Sequence, residues 1–142
     1  MLVRLLYASR AVKPLQPDEL TAIMRQSTTN NPHLGITGLL CLSDGVFMQA
    51  LEGGRDAVNR LYLRIASDPR HTDLVLLNYE EIAERRFAGW AMGQVSMSRL
   101  NPALLLKYSA TAALDPFSVS GQVSLALFDE LVATASINCD RV

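Results

Sequence analysis

The chain has 142 residues, 49% of them hydrophobic, and its 13 basic and 14 acidic side chains leave a formal net charge of −1. One domain of this length buries about two-thirds of the surface that its extended chain would expose, so a core can form without staples. The charge balance carries no electrostatic footprint for nucleic acid or for an anionic membrane surface, which argues against both as partners.

Residues 1–10, MLVRLLYASR, turn polar too soon for a signal peptide or a spanning helix, so a cytoplasmic chain is expected. Residues 2–8 read as a strand with Leu5 and Tyr7 on one face and Arg4, Leu6 and Ala8 on the other. A loop with Pro14 and Pro17 precedes a helix from Asp18 to about Ser27, whose Leu20, Ile23 and Met24 follow i, i+3, i+4. Asn30-Asn31-Pro32 is expected to break that helix. A β-hairpin follows: Leu39–Leu42, a Ser43-Asp44-Gly45 turn, then Val46–Leu51. Strand alternation places Phe47, Gln49 and Leu51 on one face and Val46, Met48 and Ala50 on the other. Gln49 is thereby a polar amide among large apolar residues, and such a group needs partners or costs about 1–3 kcal/mol. Of the two cysteines, Cys41 lies in an apolar strand and neither has metal or redox spacing with the other, Cys139; free thiols in a reducing compartment are expected.

Val58, Leu61, Tyr62 and Ile65 predict a second helix over 56–66, stopped by Asp68-Pro69. Residues 72–79 are a further strand, 82–87 a charged segment with room for a helical turn, and 90–97 the last strand. The order βαββαβ plus one strand predicts an α+β, ferredoxin-like sandwich: a five-stranded mixed sheet with two helices on one face. In that pattern the first and third strands are neighbours, which brings Tyr7 and Gln49 together on the helix-facing side. Asn101-Pro102 opens a helix to about 111, and a last helix over 118–135 carries Val119, Val123, Leu127 and Leu131 on one face. These C-terminal helices are expected to cover the bare sheet face or to make a dimer contact. The chain thus divides into a domain over 1–98 and a helical extension over 99–142.

Neither His33 nor His71 has metal-ligand spacing, and no Gly-x-Ser-x-Gly, Cys–His pair or phosphate loop is present, so the residues do not describe an enzyme. Tyr7, Asn30, Asn31 and Gln49, with Trp90 and Met92 on the last strand, are the candidate site. They suit a flat ligand with amide edges, and equally a satisfied core pair beside a turn.

Arg4–Ser9, the Ser27–Asn31 helix end, Gly35–Leu40, Phe47–Gly53, Asp68–His71 and Arg86–Gly93, in unbroken order over about residues 2–98, together resemble a BLUF domain, the flavin-based blue-light sensor. The resemblance implies non-covalently bound FAD, or FMN in some preparations, with its ring between the two helices and between Ile23 and Ile65. It makes Tyr7 and Gln49 the photoactive pair and Asn31 the residue on the ring's polar edge. Asn30, Arg64, Asp68, Arg70 and His71 fall at further cofactor positions. It also implies that Tyr7 gives up an electron and a proton in light and that the Gln49 amide rotates or tautomerises, which changes the hydrogen bonds offered to the ring and shifts its absorption to the red. Trp90 and Met92, two apart on a strand and facing one way, match a pair that exchanges places beside the glutamine.

No cyclase or phosphodiesterase sequence follows within the 142 residues, so the expected output is a partner protein or a change of homo-oligomer. Two other readings remain from the residues alone. One is an acylphosphatase-like small hydrolase using Arg64, Arg70 and Asn31 on an oxyanion, and the other is a light-independent ligand-binding module.

Overall fold

The computed structural model describes residues 1–95 and 102–134 and the backbone of 137–138. Its elements are β1 (Leu2–Ala11), α1 (Pro17–Leu34), β2 (Thr37–Ser43), β3 (Val46–Gly54), α2 (Arg55–Ala66), β4 (His71–Ile82), β5 (Gly93–Val95), α3 (Pro102–Tyr108), α4 (Gly121–Ala133) and β6 (Ile137–Asn138). The strands form one sheet in the order β4-β1-β3-β2-β5-β6, mixed because β2 and β5 run parallel while the other pairs are antiparallel. The expected five strands are joined by the two-residue β6.

Alternation along β1 and β3 sorts the core into two layers, as the sequence pattern predicts. Val3, Leu5, Tyr7, Phe47 and Leu51 pack with Ile23 and Met24 of α1 and with Val58, Leu61 and Ile65 of α2. Leu6, Met48 and Ala50 pack on the opposite face with Leu105 of α3 and with Leu127, Phe128 and Leu131 of α4. The C-terminal helices therefore cover the second sheet face. The β2–β3 hairpin closes through Asp44 and Gly45, both at positive φ (50° and 77°), the turn geometry whose twist matches that of the flanking strands.

Three elements differ from expectation. First, α1 continues through Asn30-Asn31-Pro32 to Leu34 rather than stopping near Ser27. Proline removes only its own N–H bond, and a loss in the last turn is tolerated when the end is otherwise secured. Here Gly35 takes the left-handed conformation (φ 70°), and the Gly35 and Ile36 N–H groups donate back to Pro32 and Asn31 carbonyls. Second, residues 83–92 form no helical turn but an irregular connection with an isolated bridge at Trp90, and β4 itself runs on to Ile82. Third, the regular strand expected over 90–97 is reduced to β5. The Gly38 N–H donates to the Trp90 carbonyl, while the next residue, Leu39, is paired with Gly93. Ala91 and Met92 thus lie outside the regular ladder, in an irregular bulge where the strict side-chain alternation of a strand does not hold. Trp90 and Met92 consequently do not face the same way: Trp90 packs in the α4-side layer and Met92 in the α1/α2-side layer. Residues 96–101 and Cys139, to which part of the last strand, the Asn101 cap and one free thiol were assigned, lie outside the described residues.

Candidate cofactor site

A cavity of about 550 Å³ opens between α1 and α2 above the centre of the sheet. That is within the roughly 300–1,000 Å³ of sites that take small molecules. Ile23, Asn30, Asn31, Gln49, Arg64, Ile65, Asp68, Arg70 and His71, all nine expected contacts, line it, as does Tyr7. Trp90 and Met92 do not. The sequence reading left out Gln26, Ser27 and Leu34, which lie one turn from Ile23, Asn30 and Asn31 on the same face of α1, Leu34 in its extension. Leu61 precedes Ile65 by one turn of α2, and Leu40 stands opposite Gln49 in the hairpin register. The i, i+3, i+4 pattern from Ile23 reaches Gln26 and Ser27 within the expected helix, and continuing it past Ser27 reaches Leu34.

Tyr7 and Gln49 are directly paired across β1 and β3. The Tyr7 hydroxyl donates to Gln49 Oε1 at 2.5 Å, and Gln49 Nε2 donates to Met92 Sδ at 3.3 Å. The orientation of the amide follows from chemistry: a thioether sulfur only accepts, so the N–H end must face Met92 and the oxygen is left for Tyr7. Both residues are buried, at 4% and 7% exposure. Burial, with smaller contributions from Tyr62 and Asp68, raises the Tyr7 phenol well above its usual pKa, so it holds its proton at neutral pH.

Asn31, the one buried residue of α1, donates from Nδ2 to the Ala91 carbonyl at 2.9 Å. The bulge therefore serves two contacts, Ala91 to α1 and Met92 to Gln49. At the exposed end of the cavity, Arg70 and Asp68 form a chelated pair through both Arg70 Nε and Nη2, at 2.5–3.0 Å. The hydrogen bond from Arg70 holds the Asp68 carboxyl below its ordinary pKa. His71 Nε2 lies 2.5 Å from the Ile65 carbonyl and Nδ1 2.7 Å from Ser9 Oγ. Since a carbonyl only accepts, Nε2 carries the proton. The ring is fixed between β1 and the end of α2.

A family model described as "BLUF: Sensors of blue-light using FAD" matches residues 2–93. The chain belongs to the BLUF family. The photoactivated adenylate cyclase subunit beta of Euglena longa is 46% identical over 92 residues, 64% of this chain and 11% of that protein. The subunit beta-like protein FB of Euglena gracilis is 39% identical over 100 residues, 70% of this chain and 12% of that protein. This BLUF chain thus spans about a tenth of the length of those relatives. Among solved structures, the dark state of the BLUF protein BlrB is similar with a TM-score of 0.79 and 34% identity, covering 94% of this chain and 96% of that one. The photo-activated state of BlsA has a TM-score of 0.84 and 29% identity, covering 93% and 95%. BlrP1 of Klebsiella pneumoniae, with a TM-score of 0.68 and 31% identity, covers 92% of this chain and 33% of its own.

BLUF domains are blue-light sensors that bind FAD, and the cavity fits such a group. Apolar side chains from two helices, Ile23, Leu61 and Ile65, face one another across a space that also presents the Asn31 and Gln49 amides and the Arg64 guanidinium. The hydrolase alternative is not favoured. The family model and the solved structures that this chain resembles are of light sensors.

Proposed function

We propose that this chain senses blue light through FAD held in the α1/α2 cavity, with Tyr7 and Gln49 as the photoactive pair. Ile23 and Ile65 would hold the ring between the helices. Asn31 and Gln49 would bond its polar edge, and Asn30, Arg64, Asp68, Arg70 and His71 would contact the rest. When bound, the flavin supplies light absorption and an electron acceptor. Everything else follows from the side chains. A phenol that loses an electron becomes a strong acid, and the Tyr7 proton already points at Gln49 Oε1. The amide can then rotate or tautomerise. Rotation by half a turn sets the amide oxygen against Met92 Sδ, two acceptors facing each other, so the contact that holds Met92 in place is lost. Movement at Met92 is the first consequence outside the cavity, and Trp90, two residues earlier in the bulge, responds with it.

The observation that carries this reading is the Tyr7–Gln49–Met92 chain of hydrogen bonds, buried beneath the cavity and ending in an acceptor-only group. In this reading the described residues carry the sensor, whose output would act on a partner protein or on a change in homo-oligomer. Similar proteins carry effectors in the same chain, as in the light-regulated adenylyl cyclase that this structure resembles. Among the described residues no helix is long and apolar enough to cross a membrane.

The test is direct. Protein prepared with FAD should be yellow, and its flavin bands should move to the red in blue light and return in the dark. Colourless protein after incubation with excess FAD would overturn the proposal.

A further inference from the structure

The connection between β4 and β5 touches both layers of the molecule. At its far end, the Trp90 carbonyl is held by Gly38, the Ala91 carbonyl by Asn31, and Met92 by Gln49. Nearer its start, the Arg86 guanidinium bonds both oxygens of Asp129 on α4, at 2.9 and 3.1 Å. Phe87 packs edge-on to Phe128 of α4, with ring centroids 6.3 Å apart.

Glu52 holds this start in place. It lies on β3, the strand that carries Gln49, and its carboxylate is fully buried. Its oxygens accept from the backbone N–H groups of Arg86, at 3.0 Å, and Phe87, at 2.6 Å. Arg4 Nε and Nη2 reach its Oε2 at 2.8 and 2.7 Å. A buried carboxylate is tolerated only when paired and fully hydrogen-bonded, and charge-assisted bonds to backbone N–H groups are among the stronger ones.

We propose that Glu52, paired with Arg4, is the positioning residue that couples α4 to the switch. It holds Arg86 and Phe87, the residues that touch α4, onto the strand that carries Gln49, so the state of α4 sets the Gln49–Met92 contact. Coupling of this kind is reciprocal, so light in turn biases α4. The inference rests on the reading that Gln49 rearranges in light.

A double-mutant cycle on the full chain loaded with FAD tests it. Asp129→Ala breaks an exposed ion pair, of little value to stability, far from the cavity. It should change the dark-recovery rate by about two-fold or more, the lower end of the coupling expected between groups in contact. Glu52→Asp keeps the charge beside Arg4 but withdraws the carboxylate by one methylene from the Arg86 and Phe87 N–H groups. In that background Asp129→Ala should have no effect. An equal effect of Asp129→Ala in both backgrounds, or none in either, overturns the proposal. If Glu52→Asp does not fold, Glu52→Gln replaces it with the same expectation. Every neighbour of this carboxylate described above is a donor, so an amide N–H must oppose one of them.

Acrylamide quenching of Trp90, the one tryptophan of the sequence, gives a second readout in flavin-free protein. Asp129→Ala should alter it with Glu52 present and leave it unaltered in Glu52→Asp, and the opposite pattern counts against the coupling. A chain that shows no light-induced shift but passes the quenching test loses the photoreceptor reading and keeps the positioning one.

Discussion

Replacing Gly38 by Ala should be among the most damaging single-methyl additions in this chain. A Cβ there would stand 2.0 Å from the Ala50 carbonyl oxygen, 3.1 Å from its carbon and 3.3 Å from Met92 Cε. Ordinary contact begins near 3.4 Å, so about 1.4 Å must be found in the backbone of β3, one residue beyond Gln49. Overpacking costs about 1–3 kcal/mol, and the upper end applies when the obstacle is a strand backbone and not a side-chain tip. For a chain of this size about 3 kcal/mol corresponds to a fall in Tm of about 10 °C. Thermal unfolding followed by far-UV circular dichroism measures it, with Gly89→Ala as the control, because a Cβ at Gly89 meets nothing within 4 Å. Equal midpoints for the two variants would refute the close approach of β2, β3 and the bulge on which the site's geometry depends.

Gly121→Ala should also lower Tm, by about 4–10 °C, because its Cβ would lie 1.9 Å from the Leu77 carbonyl and lift the start of α4 off β4; an unchanged midpoint would show that α4 does not seat there. Asp68→Asn should cost at most about 1 kcal/mol at pH 7, the ceiling for a partly exposed pair. The folded-state pKa of Asp68 is lowered, so its stabilisation is present above the unfolded value of 3.8 and fades as pH falls through the lower folded one. The gap between the two proteins in urea melts should therefore be smaller at pH 3 than at pH 7. Burial pushes the Cys41 thiol up to about 12. In a Cys139→Ser background it should resist Ellman's reagent at pH 8 until urea is added, and prompt labelling of the folded protein would contradict its burial. Because that pKa is raised on folding, the Cys41 contribution to stability declines as pH rises from about 9 toward 12.

The strands were the most legible part of the fold. Period-2 alternation in β1 and β3 assigns every large side chain to its layer, because both faces of the sheet are buried and a slip of one residue would exchange them. The opposition of Tyr7 and Gln49 follows from the βαββαβ order. The end of α1 was less legible, since Asn-Asn-Pro is a good turn signal locally. The Gly35 cap and the bond from Asn31 to Ala91 override it, and the second of these spans 60 residues. The bulge at Ala91 and Met92 was not legible, because alternation assumes an unbroken ladder and nothing local marks two residues as extra. The resemblance named Trp90 and Met92 as the pair, while their opposite placement comes from tertiary pairing with Gly38 and Leu39. Glu52 carries no pattern signal either: a carboxylate in an apolar strand reads as an exposed position until Arg4 and the connection are seen around it.

The central claim is that Gln49, addressed by Tyr7, is the moving part of a flavin light sensor. The light-minus-dark absorption spectrum of FAD-loaded protein, recorded for the natural chain, Gln49→Leu and Tyr7→Phe, tests it most directly. The natural chain should show a reversible red shift, and both variants should bind flavin without it. A normal, reversible red shift in both variants would contradict the account.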